Sequence, residues 1–129
     1  MSNSITHDRH AAPIKGCFCG IYGATELEQV RQYVVASHSG YAGVGHYAHR
    51  VVGHVNLWGR VVECSQGYRA SRAYPARLWL PTRRPDGKRF DVERVALGLL
   101  DYGVPTELLD AGTRYEIMNQ LGYARRAAA

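Results

Sequence analysis

Residues 50–80 run through two successive stretches rich in β-branched and aromatic side chains, and no other feature constrains the fold as much. The first, 50–64, carries Val51, Val52, Val55, Leu57, Trp58, Val61 and Val62, the composition of a half-buried strand. Ser65-Gln66-Gly67 then supplies turn residues, and 68–74 followed by 76–80 beyond Pro75 reads as the return. An antiparallel hairpin or meander is the expected unit. Gly53 and Gly59 interrupt its first strand, and each marks a bulge or a point where another backbone or a ligand comes close.

Helical signals flank this unit. Thr25-Glu26-Leu27-Glu28 fits a capping box, and Leu27, Val30 and Val34 follow at helical spacing, which predicts a helix ending near 37–40. Glycine, tyrosine and histidine dominate 40–49, a loop composition. Residues 81–88 form a turn-rich basic loop around Pro85-Asp86-Gly87. Asp91 then caps a helix with apolar positions Val92, Val95, Ala96, Leu99 and Leu100, stopped by Gly103 and Pro105. Thr106 is expected to cap a further helical segment with Leu108, Leu109, Ile117, Met118 and Leu121, which Gly112 is placed to divide and Gly122 to stop. The predicted fold is α+β, a small antiparallel sheet packed with about three helices. One domain over 129 residues is expected, with flexible termini at 1–15 and 124–129.

Three stretches stand out by their wording: Cys17-Phe-Cys-Gly-Ile-Tyr, then Leu57-Trp-Gly-Arg-Val-Val-Glu63, then Gly67-Tyr-Arg-Ala-Ser-Arg-Ala-Tyr-Pro75. They resemble a group of short, uncharacterised actinobacterial and actinophage proteins. That resemblance covers roughly the first two thirds of the chain. It implies a cellular setting and no activity.

Charge is the strongest pointer to function. Between Arg60 and Arg94 lie nine of the sixteen Lys and Arg residues against four of the eleven acids, so the formal excess of +5 is concentrated there. Such a segment is a natural contact surface for an anionic partner. Arg69, Arg72, Arg77, Arg83, Arg84, Lys88 and Arg89 are the candidate partner-binding cations, because guanidinium and ammonium groups pair with phosphate or carboxylate. Tyr68 and Tyr74 are candidate stacking faces for exposed bases. Trp58 and Trp79 could stack too, but their strand-like spacing and large apolar area favour burial in the core.

Metal and catalytic readings are thinner. Cys17 and Cys19 with His46 and His49 could supply a tetrahedral zinc site, with Cys64, His54, His7 and His10 as further donors. One residue between the paired cysteines is shorter than the usual knuckle spacing, and buried thiols with loop histidines are the simpler reading. A thiol enzyme built from Cys64, Glu63 and His54 would need two residues ten positions apart on one strand to meet. No GxGxxG or Walker-type loop occurs; Gly40-Tyr-Ala-Gly-Val-Gly45 neither follows a strand nor opens a helix. The segments around Gly103 suit helix-turn-helix DNA binding poorly, because Glu107, Asp110 and Glu116 would face phosphate.

The chain has no apolar run approaching the length of a membrane span and no secretory signal pattern, so a cytoplasmic protein without a membrane partner is expected. Three cysteines agree with a reducing compartment. The leading expectation is a non-enzymatic binding or regulatory domain that engages an acidic protein or a nucleic acid through its basic hairpin and loop. A zinc-stabilised structural module comes second, and an enzyme of unrecognised type third. The apolar residues of the last two helical segments leave a homo-oligomer open.

Overall fold

The computed structural model describes Pro13, residues 19–35 and residues 50–128. In chain order the elements are β1 (Ile21–Ala24), a 3-10 helix (Leu27–Tyr33), β2 (Val52–Cys64), β3 (Gly67–Pro81), α1 (Val92–Leu99), a single 3-10 turn (Leu100–Tyr102), β4 (Thr106–Leu109) and α2 (Arg114–Ala128). The α+β class holds. So does the hairpin, whose return is one continuous strand, with Pro75 and Ala76 inside it.

β3 organises the sheet. β2 pairs antiparallel along nearly all of it, β1 pairs antiparallel with its start (Ile21↔Ala70 to Ala24↔Gly67), and β4 pairs parallel with its end (Leu78↔Thr106 to Pro81↔Leu109). Neither β1 nor β4 reaches the middle of β3. Two register shifts bend the hairpin, between His54 and Val55 and between Trp58 and Val61. Gly59 lies at the second with φ +81, a left-handed conformation that glycine adopts freely. Arg60, opposite Ser71 in this irregularity, sends its backbone N–H to the Ser71 hydroxyl at 3.0 Å.

The core gathers where the end of β3 meets the helices. Trp79, Val34, Leu109, Ala111, Ile117, Met118 and Leu121 form one buried cluster, with Leu27, Val30, Val35 and Val52 packed against it. The stripe predicted from Leu27, Val30 and Val34 therefore faces inward, although its helix is 3-10. Its cap lies one residue later than expected: Gln29 takes the Glu26 backbone N–H at 3.0 Å, while Glu28 pairs with Arg31 at 3.2 Å. Asp91 caps α1 as predicted, accepting from the Arg94 N–H at 3.1 Å, and Gly103 ends the following turn with φ +67.

Two expectations need correction. Residues 106–109 are a strand, since the Leu78 N–H donates to Pro105 and the Thr82 N–H to Leu109, which draws this segment onto the free end of β3. The last helix begins after Gly112, with Thr113 and Glu116 as its capping box, and runs through Gly122. α1 contributes no fully buried side chain, and Leu97 and Leu100 are exposed. No helix among the described residues is long and apolar enough to cross a membrane.

Candidate functional site

The seven cations predicted to bind a partner separate into two groups. Arg83 is committed to the fold. Its Nε donates to Asp110 Oδ1 at 3.0 Å, and its terminal nitrogen donates to Glu116 Oε2 at 2.8 Å and to the Asp110 carbonyl at 3.1 Å. Arg84 donates to Asp86 Oδ2 at 2.6 Å, and the Lys88 N–H together with Arg84 holds the Asp86 carboxyl below its ordinary range. Arg69 lies over Cys64 Sγ at 3.2 Å and reaches the Cys19 carbonyl at 3.4 Å. Arg77 places its guanidinium 5.5 Å from the centre of the Trp79 ring. Arg72, Lys88 and Arg89 are the exposed remainder, and none makes an ion pair among the described residues.

The Arg83 junction has its own local logic. Glu116 accepts from the Thr113 and Gly112 backbone N–H groups and the Thr113 hydroxyl while meeting Arg83. The Thr113 N–H, then the Arg83 guanidinium and the Gly112 N–H, pull its carboxyl from the ordinary 4.5 down to about 2. A depressed carboxylate pKa contributes stability that is complete above the unfolded value and is lost as pH falls through the folded one. Thermal melts between pH 6 and pH 2 should therefore show wild type losing stability between about 4.5 and about 2, with a shallower loss in Glu116→Gln. Equal slopes for the two proteins would remove this account.

The aromatic residues separate as well. Trp79 is 2% exposed, as expected of a core tryptophan, but Trp58 is 46% exposed and does not join the core. The reason is topological, since Trp58 stands opposite Arg72 in the stretch of hairpin that no third strand flanks. Between the two register shifts the pairs Asn56↔Tyr74 and Trp58↔Arg72 follow without interruption. Strand alternation puts these four side chains on one face, and all four are exposed. Of the alternate residues, Leu57, Ala73 and Pro75 are half-buried and Val55 is exposed. The Tyr74 hydroxyl donates to the Tyr102 carbonyl at 2.8 Å, and the two rings meet edge to face at 5.9 Å. Tyr68, the other candidate stacking residue, is exposed at the opposite end of the hairpin and lines a cleft of about 730 Å³ with Tyr22, Leu27, Leu57 and Trp79.

Trp79 anchors an arrangement that sequence reasoning missed. Its indole N–H donates to Glu107 at 2.9 Å, and the His54 ring meets it edge-on at 4.8 Å. Strand register brings His54 opposite Arg77 and Glu107 opposite Trp79. Nothing in the sequence pointed there, because it depends on the pairing of β4.

Of the candidate zinc ligands, Cys17, His46 and His49, like His7 and His10, lie outside the described residues. Cys19 is half-buried. No group of three or more ligand side chains gathers among the described residues. His54 and Cys64 pair with opposite ends of β3, Arg77 and Gly67 respectively, so the drawn thiol site does not assemble. Comparison of the chain with protein-family models, with curated proteins and with solved structures finds no match, and the site is read from its own geometry.

Proposed function

We propose that this chain is a non-enzymatic binding domain that holds an anionic partner against the outer face of the β2–β3 hairpin, helped by the loop that follows it. The observation carrying this reading is Arg72. Its guanidinium is exposed beside Trp58, opposite it on the neighbouring strand, and has no carboxylate partner among the described residues. Lys88 and Arg89 add two further exposed cations. Arg83 and Arg84 are excluded from the contact set because carboxylates already hold them.

A polyanion tests the surface without presupposing the partner. Heparin should bind with an affinity that falls steeply as salt rises, and the triple variant Arg72→Ala, Lys88→Ala, Arg89→Ala should weaken binding and flatten the salt dependence by about one unit of log–log slope per lost contact. Its melting temperature should stay near wild type, since these side chains are exposed and make no ion pair among the described residues. Unchanged heparin affinity in the triple variant would reject this surface.

A further inference from the structure

The same face specifies what kind of anion it suits. We infer that the partner is a single-stranded nucleic acid whose bases stack on Trp58 and Tyr74 while Arg72 meets the phosphate between them. This rests on the anionic-partner reading and adds to it a requirement for unpaired bases. Charge alone would be served by arginines in any setting, but here two large aromatic side chains, about half exposed, share an uninterrupted stretch of hairpin with the exposed Arg72.

Geometry supports the assignment in three ways. Trp58 and Tyr74 are diagonal neighbours on one face, and such pairs stand about 7–8 Å apart. That separation lets an extended single strand place a base on each ring, whereas a duplex keeps its base faces inside the stack. Tyr74 is preset, because its hydroxyl is bonded to the Tyr102 carbonyl and its ring is braced edge-on by Tyr102. Arg72 and Asn56, the cross-strand partners of the two rings, offer a phosphate-pairing group and an amide within the same patch. Stacking on exposed aromatics is tolerant of sequence, since every base has a π-face. The expected ligand is therefore a single strand recognised with little base preference.

The chain's two tryptophans make the test direct, because Trp79 is buried and Trp58 is half exposed. Titrating the full chain with oligo(dT) or oligo(rU) of about 16 nucleotides should quench part of the tryptophan fluorescence, and Trp58→Phe should remove that quenching. Trp58→Ala and Tyr74→Ala should each weaken oligonucleotide binding about tenfold and leave heparin binding nearly intact. Melting curves of Trp58→Ala and Tyr74→Ala separate lost stacking from lost folding, and Trp58→Phe, which keeps an aromatic face, should retain most of the oligonucleotide affinity.

Heparin binding without oligonucleotide quenching would overturn the stacking assignment and leave the anionic surface standing. Duplex bound as tightly as single strand would overturn it too. Failure to bind either polymer would remove both readings. A dimer dissolved by Trp58→Ala, in a protein that does not bind oligonucleotide, would reassign the face to contact between copies of the chain.

Discussion

Replacing Trp79 with alanine is expected to lower the free energy of unfolding by about 4 kcal/mol. The ring is 2% exposed within the buried cluster, and truncation removes more than apolar area. The Glu107 carboxylate loses the indole N–H, His54 loses its ring contact, and Arg77 loses the π-face beneath it. Small domains have total stabilities of about 5–15 kcal/mol, so this one change should leave the protein near its unfolding transition at room temperature. Urea denaturation of Trp79→Ala beside Trp79→Phe would decide it. Phenylalanine keeps most of the apolar volume and loses the hydrogen bond, so it should fall between the other two. A midpoint for Trp79→Ala close to wild type would mean the cluster does not hold the fold.

Gly67→Val is expected to act through crowding instead of loss. A Cβ built at Gly67 falls against the Gly23 carbonyl oxygen and comes within 2.9 Å of the Ala24 Cα, both backbone atoms of β1. No side-chain rotation relieves such a contact, so β1 must move away from β3 and lose the Ala24↔Gly67 end of its pairing. The cost should be about 3 kcal/mol, read as a lower melting temperature with faster amide exchange at Tyr22 to Ala24. Gly87→Ala makes a useful contrast. Open space surrounds Gly87, leaving its φ of +81 as the sole source of strain. If Gly67→Val melted like wild type, the close approach of β1 would be wrong.

Elements carrying their own local signal were legible in the sequence. The valine-rich composition of β2, the Asp91 cap, the Pro85-Asp86-Gly87 turn and the glycine stop at Gly103 each act within a few residues, and each is where the pattern put it. β4 was not legible. Four residues after a proline, with Leu108 and Leu109 adjacent, have no clear alternation, and they become a strand because the edge of β3 that faces away from β2 is open there.

The candidate site followed the same division. Exposure of Tyr68 and Tyr74 was readable from their setting in a basic hairpin. Neutralisation of Arg83 was not, because Asp110 and Glu116 lie 27 and 33 residues along the chain. Spacing could not separate Trp58 from Trp79 either. Both sit in β-rich sequence, and what distinguishes them is whether β4 and α2 cover that end of the sheet.

The turn of Ser65 and Gln66 joins β2 to β3 directly, whereas Ile21 of β1 and its partner Ala70 stand 49 positions apart in the chain, and Leu78 and its β4 partner Thr106 stand 28 apart. Loop closure over short separations comes first and costs least entropy. The wiring sets the expected order of assembly: the hairpin should zip early, and β1 and β4 should then dock on β3. Slowing the turn by mutation should delay every later stage of refolding.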